Sequence, residues 1–240
     1  MLGGRIISAF VITYNEEGAI RDCLESLKWA DEIVVVDSHS TDRTVEIARQ
    51  YTDRIILRDF AGHTAQTRFA FEQTSGEWTL WLDADEVLTQ RALDEIYEAF
   101  DRPGGPQNDG YAFPRKTYFL GRWVRHGGWY PQHRLRLMRR EVASIVGPRA
   151  HPRAVVEGKV RKLRGEILHL SYPGGILEYI ERSRTYAEIS AQERFEQGRR
   201  AGLLDMVCRP PQNFLSRYVL NLGVLDDVAG FAVDAGAAYR

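Results

Sequence analysis

Cysteine is scarce in this chain: among 240 residues only Cys23 and Cys208 occur, far apart. Two distant thiols offer neither a disulfide framework nor a cysteine metal site, and a reducing cytosol is the compartment this usage fits. Net charge is almost absent too, with 32 Lys and Arg against 33 Asp and Glu. That balance excludes a globally basic nucleic-acid coat and a strongly acidic solvating chain, so any electrostatic function must come from local segregation of charge. No apolar run approaches the roughly 20 residues that span a bilayer, and the opening MLGGRIISAF lacks the charged region and long apolar core of a leader. The chain is therefore expected neither to be exported nor to cross a membrane. Repeats and low-complexity tracts are also missing. What is present, 44% hydrophobic and 27% charged residues, suits a soluble globular protein able to bury a core.

Four short apolar runs mark the first half: RIISAFVIT, EIVVVD, RIIL and WTLWLD. Each is strand-length and continuous rather than alternating, as strands buried on both faces of a parallel sheet are. Between them GAIRDCLESLKWA, TDRTVEIARQY and TAQTRFAFEQTSG carry apolar residues at helical spacing. Strand and helix in alternation predict right-handed crossovers and an open, mostly parallel α/β sheet flanked by helices. Ligands of such sheets sit at the carboxyl ends of the strands, and three of these ends are polar: TYNEE, DSHSTD and DADE. A helix is expected from Gln90 to Phe100, and the turn-rich DRPGGPQNDG then closes a first part, residues 1–109. Residues 110–172 read as a second half of the same domain. After YPGG, residues 173–240 read as a helical C-terminal extension, with helix-like segments over Ile176–Arg200 and over Phe214–Tyr239, the latter interrupted by Asp226 and Asp227.

In an extended chain side chains two apart share a side, so Asp83 and Asp85 are expected to face one way across small Ala84. Such a pair can share one hard cation, Mg²⁺ or Mn²⁺, completed by phosphate oxygens; the plainer reading is an acidic turn capping the next helix. Asp37, at the end of IVVVD, can accept hydrogen bonds from a base or a ribose, or cap the turn SHSTD. Thr13 and Asn15 end a strand and open a helix, where side chains and backbone N–H can meet a ligand.

FVITYNEEGAIRDCLESL, ADEIVVVDSHSTDRTVEIA and SGEWTLWLDADE, in this order and spacing, resemble the nucleotide-sugar-binding half of family 2 glycosyltransferases with the Rossmann-like GT-A fold. YFLGRWVRHGGWYPQHRLRLMRR is similar to the group containing the lipopolysaccharide-core glucosyltransferases. The resemblance implies that Thr13, Asn15, Glu16 and Asp37 line a nucleoside pocket, with Arg68 near the base or phosphates. It puts Asp83 at the ribose and Asp85 at the metal, and implies inversion at the anomeric carbon. It also implies a nucleotide-sugar donor, a UDP-sugar favoured, and a glycan or glycolipid acceptor.

Inversion needs a general base. Relatives of this group carry a His-Glu pair where this chain has GPRAHPRAVVEG, so Pro152 replaces the carboxylate after His151. His151 is then the base, a metal ligand or a structural histidine; Glu157 and Asp109 are weaker substitutes. From Gly110 to Arg140 there is no acidic residue. This basic aromatic tract reads as a solvated face, as a cradle for phosphates or an anionic acceptor, or as a single-strand nucleic-acid binder. The second reading is favoured, with Trp129, Tyr130, Arg134 and Arg136 on the acceptor side and no nucleic-acid partner. Residues 214–240 lie along a membrane surface or pack on the domain or a second subunit. The expectation is a metal-assisted inverting hexosyltransferase of the cytoplasm, peripheral on the inner face of the cytoplasmic membrane. Its competitors are a nucleotidyltransferase and a non-catalytic sugar-nucleotide or glycan binder.

Overall fold

A computed structural model of the chain describes residues 1–171, 175–200 and 202–239. Most of the YPGG segment that separates the second and third stretches of sequence therefore lies outside the described residues, as do Ala201 and Arg240. Two compact units emerge: residues 1–115, 133–147 and 151–169 form the first, and residues 116–132, 148–150 and 170–240 the second.

The first unit begins with the expected alternation: β1 (Ile7–Thr13), α1 (Ile20–Glu25), β2 (Glu32–Asp37), α2 (Thr44–Ala48), β3 (Ile55–Leu57), α3 (His63–Glu72) and β4 (Trp78–Asp83). The four strands are the four apolar runs, and β1 pairs in parallel with both β2 and β4 while β3 extends β2. The chain steps outward from β1 to β3, then returns past β1 to β4. The strand order thus reverses between β1 and β4, which opens a crevice at the carboxyl ends of these strands.

Burial follows the pleat. Ala9, Val11, Val35, Leu80 and Leu82 face a core shared with α1 and α2, while Phe10, Val34, Val36 and Trp81 face one shared with α3. Phe10 stacks on Trp81 with ring centroids 6.1 Å apart.

After β4, only Ala84 and Asp85 intervene before β5 (Glu86–Leu88). Next comes α4 (Gln90–Phe100), whose N-terminus is capped by Thr89 Oγ1 accepting from the Ala92 N–H at 3.3 Å. Ala92, Ile96, Ala99 and Phe100 lie on its buried stripe. Then follow β6 (Gly110–Phe119), β7 (Arg122–Trp123), β8 (Gln132–Arg139), β9 (Ala143–Val146), β10 (Arg153–Val156), β11 (Val160–Lys162) and β12 (Ile167–Leu170). The sheet runs β3-β2-β1-β4-β8-β6-β12-β5, with β11 beside β6. Because β5 is tied to β4 by two residues yet stands at the far end of this order, the strands from β4 to β5 must curl back toward their starting point. Strands β9 and β10 form a separate antiparallel hairpin.

In the second unit, Tyr118 and Phe119 at the end of β6 pair with β7. Three helices complete it: α5 (Gly175–Glu196), α6 (Leu203–Phe214) and α7 (Asp227–Tyr239). Phe119, Val124, Tyr179, Ala229 and Val233 make its core. The helix-like stretch over Phe214–Tyr239, expected to be interrupted by Asp226 and Asp227, is a wider turn over Leu215–Leu220, a break, a 3-10 turn over Gly223–Asp226 and then α7, which starts at Asp227. Leu222 and Asp227 flank the 3-10 turn with φ of +60° and +53°, and Asp226 ties it to an earlier loop. Its Oδ2 accepts the Arg125 and His126 N–H groups at 2.8 and 2.7 Å, and its Oδ1 meets His126 Nδ1 at 2.8 Å. Gly223 at this break faces buried Asp234, whose Oδ2 would lie 2.0 Å from any Cβ there.

Phe100 meets Trp78 edge-on at 5.0 Å and is fully buried. Phe100→Ala should therefore lower the unfolding free energy by about 3–5 kcal/mol in denaturant melts.

Candidate active site

The carboxyl end of β4 carries Asp83, Asp85 and Glu86 within four positions, and the curled sheet surrounds them with cations. Arg136, from β8, reaches Asp83 Oδ2 at 2.7 Å and Glu86 Oε2 at 2.6 Å through one nitrogen, Nη2. Its guanidinium lies 4.1 Å from the Trp81 ring centroid. Trp81 Nε1 donates to Asp83 Oδ1 at 3.1 Å, and the Asp83 N–H donates to Glu86 Oε2 at 3.2 Å. Arg115, from β6, stands 3.8 Å from Glu86 Oε1. Burial opposes the Arg136 charge, but Asp83 and Glu86 outweigh it and hold the guanidinium protonated. For Glu86 burial wins: its carboxyl is raised above the ordinary 4.5 despite the pull of Arg136.

Asp85 has a different neighbour. The strand ends at Asp83 and residues 84–85 form a turn, so the two-residue repeat that would set Asp83 and Asp85 on one side no longer applies. Asp85 Oδ2 lies 3.2 Å from His169 Nε2, both side chains being largely enclosed. His169 comes from β12, where it sits opposite Glu86 in the antiparallel register. Beneath this end, Cys23 is buried and its thiol meets the Asp83 carbonyl at 3.4 Å. Burial pushes that thiol well up, and Glu86, Asp85 and Asp83 add to the shift.

Thr13 and Asp37 are register partners at the ends of β1 and β2. Asp37 is fully buried and takes hydrogen bonds from the Ser40 N–H, at 2.8 Å, and from the Ser40 hydroxyl. The turn-capping geometry offered by SHSTD is thus present. Asn15 adopts φ +52°, a left-handed conformation that asparagine tolerates. Its N–H donates to Ser40 Oγ and its Oδ1 accepts from the Thr41 N–H, each at 2.8 Å, while the Glu16 N–H donates to Thr44 Oγ1 at 2.8 Å. These bonds join the two loops that follow β1 and β2. Thr13 Oγ1 is buried with no hydrogen-bond partner, an uncommon condition for a hydroxyl. Arg68 is on the exposed side of α3 and donates to the Ile145 carbonyl at 3.2 Å, linking α3 to β9.

The acceptor-side residues separate. Arg136 is buried among the acids just described, and Arg134 is on the same strand. The Arg134 guanidinium falls to about 10 through burial, then through the nearby charges of Arg115 and Arg136. Trp129 and Tyr130 belong to the second unit, where Tyr130 packs edge-on to Trp123 at 5.1 Å and Trp129 rests against the core. His151 is exposed in the loop joining β9 to β10. Glu157 is exposed just after β10, and Asp109 pairs with Arg139 at 3.4 Å while accepting from the Lys159 N–H.

The family model described as Glycosyl transferase family 2 matches residues 8–154. LpsC, a lipopolysaccharide core biosynthesis glycosyltransferase of Rhizobium meliloti (strain 1021), is 32% identical over 225 residues, covering 90% of this chain and 81% of its own. The chain belongs to glycosyl transferase family 2. An uncharacterized glycosyltransferase of Rickettsia typhi, RT0209, is 31% identical over 208 residues, 81% of this chain and 70% of that one. Among solved structures, residues 1–349 of S. aureus TarS share the fold with a TM-score of 0.52 at 17% identity, over 98% of this chain and 89% of that one. Glucosyl-3-phosphoglycerate synthase from Mycobacterium tuberculosis, in complex with Mn²⁺, uridine diphosphate and glucosyl-3-phosphoglycerate, does so with a TM-score of 0.53 at 16% identity, over 83% and 82%. The GT-A fold and glycosyltransferase activity expected from the sequence are thereby shown, and the nucleotidyltransferase and non-catalytic readings are set aside.

In this family 2 glycosyltransferase, sequence reasoning did not place Arg115, Trp81 and His169 beside the acids, and it gave Glu86 of DADE no separate role. The absence of acids from 110 to 140 was the available signal for Arg115 and Arg136, since a buried acidic cluster needs buried cations. His169, alone in EILHL, carried no signal of its own.

Arg136→Met leaves Asp83 and Glu86 without their shared cation, and should cost about 3–5 kcal/mol near neutral pH. A raised carboxyl stabilises the fold at pH values below its unfolded value and loses that contribution as pH rises through the folded one. The deficit of Arg136→Met should therefore grow as pH climbs past 4.5, as urea melts of both proteins across pH will show.

Proposed function

We propose that this enzyme transfers a sugar, with inversion, from a nucleotide-sugar donor to a hydroxyl of a lipid-linked or lipopolysaccharide-core glycan, assisted by Mg²⁺ or Mn²⁺ at Asp85. The observation that carries the metal assignment is the division of the acids. Arg136 and Trp81 occupy both oxygens of Asp83, whereas Asp85 stands beside an imidazole at 3.2 Å. Among the described residues no cluster of three or more candidate metal ligands occurs. A carboxylate and an imidazole still fit a divalent ion that takes one or two protein ligands and completes its shell with phosphate oxygens and water. Bound there, the ion would act as a Lewis acid toward the departing nucleoside diphosphate.

The chain's own residues do the rest. Asp83, fixed by Trp81 and Arg136 and about one-third exposed, presents a carboxylate to the ribose. Thr13, Asn15, Glu16 and Asp37 hold the nucleoside, and the unsatisfied Thr13 hydroxyl is a group that a nucleoside's polar edge would satisfy. Arg68 serves the base or phosphates from α3. Arg134 adds positive charge beside the acid cluster. His151, exposed and of a type that is largely neutral near pH 7, takes the acceptor proton. A UDP-sugar is the preferred donor. TarS in complex with uridine diphosphate, the mycobacterial synthase with Mn²⁺ and uridine diphosphate and the name of LpsC support this reading.

A thermal-shift panel of UDP-, GDP-, ADP- and dTDP-sugars should show the largest rise in melting temperature with a UDP-sugar plus Mn²⁺. Asp85→Ala should lose both that Mn²⁺-dependent rise and about a hundredfold or more of transfer activity; full activity in this variant removes the mechanism. His151→Ala should lower kcat by about a hundredfold or more while leaving donor KM near its original value, and unchanged turnover would assign the base elsewhere.

A further inference from the structure

Helix α6 is amphipathic, but its apolar stripe does not face a core. At helical spacing Leu203, Leu204, Val207 and Phe214 fall on one side, with Met206 at its edge, and Asp205, Arg209, Gln212 and Asn213 fall on the other. Phe214 packs with Tyr218 and Phe231. Leu203, Leu204, Met206 and Val207, in contrast, are 59–77% exposed. The turns after the helix continue the pattern, with Leu220 at 78% and Leu225 at 60%. Single exposed leucines need no explanation, but a contiguous segment of them does. The same segment carries four arginines and one aspartate over residues 199–225; Arg209 pairs with Asp205 at 2.9 Å and Arg217 with Asp234 at 3.3 Å, so the positive charge it offers outward is that of the exposed Arg199 and Arg200. No helix among the described residues is long and apolar enough to cross a membrane.

We infer that α6 and the turns after it form an interfacial membrane-binding surface, the apolar stripe entering the headgroup boundary of an anionic bilayer and Arg199 and Arg200, just before the helix, meeting its charge. A short amphipathic helix with an unburied apolar face and flanking arginines has the chemistry for this mode of attachment. The sequence alone had offered residues 214–240 either as a membrane surface or as a segment packed on the domain or a second subunit. In the structure Ala229, Ala232 and Val233 of α7 are instead buried in the core of the second unit. The occupant is lipid rather than a second copy, because a two-fold dimer built on this face would set the basic segment against itself.

Flotation of the full chain with vesicles tests this directly and needs no sugar donor, so its failure would leave the proposed reaction standing. The chain should float with vesicles containing phosphatidylglycerol, float poorly with phosphatidylcholine alone, and be released by salt. The double substitution Leu203→Ser with Leu204→Ser should reduce the bound fraction about tenfold or more, with an unchanged melting temperature because both side chains are exposed. Arg199→Gln with Arg200→Gln should weaken binding to the anionic vesicles only. The inference falls if the chain stays unbound with both vesicle types, or if the double serine variant floats like the parent. It falls equally if light scattering shows a dimer that the serine variant dissolves.

Discussion

One buried guanidinium sustains the centre of this protein. Arg136 answers two carboxylates with a single nitrogen and sits over the ring of an indole whose N–H serves one of the same carboxylates. A charge so enclosed is tolerable only when it is paired and hydrogen-bonded, and here Nη2 meets both carboxylates, although Arg136 Nε and Glu86 Oε1 find no hydrogen-bond partner. The acids at the end of β4 are therefore mostly neutralised from within the protein. Asp85, set apart by a turn, faces His169 instead.

That arrangement is a product of topology. In a flat sheet of the observed order, the first and last of the five strands from β4 to β5 would stand far apart. Curling brings β12 and β5 round to the carboxyl end of β4, so that residues distant in sequence, Arg115, Arg136 and His169, converge on one short acidic stretch. The reversal of strand order between β1 and β4 places the loops after β1 and β2 at the same ends of the parallel strands. The crevice of an open α/β sheet and the enclosure made by its antiparallel continuation thus contribute different halves of one site.

Much of this was legible in the chain. Strands covered on both faces announce themselves as unbroken apolar runs, and all four of the first half, with the helix from Gln90 to Phe100, were readable for that reason. Polar strand ends pointed to where a ligand belongs. Two things were hidden. The turn at Ala84 and Asp85 broke the alternation that made the two aspartates look like companions, and nothing local announces a turn inside LDADEVL. The partners of the acids were hidden because strand pairing beyond β4 is a long-range property: neither the basic tract nor the isolated histidine in EILHL says which strand it will lie beside. At the C-terminus the interruption at Asp226 and Asp227 was readable, but not the loop N–H groups about a hundred residues earlier that Asp226 serves.

The brevity of the link between β4 and β5 sets a limit on how this part of the chain can vary. Two residues measure the gap across which the curled sheet meets its own beginning, and both strands are anchored by ladders on their outer sides. Exchange of Ala84 for another small residue alters only a local contact. Inserting or deleting a residue there would instead move Asp85 off His169 or shear β5 along β12, so the segment can drift in identity far more readily than in length.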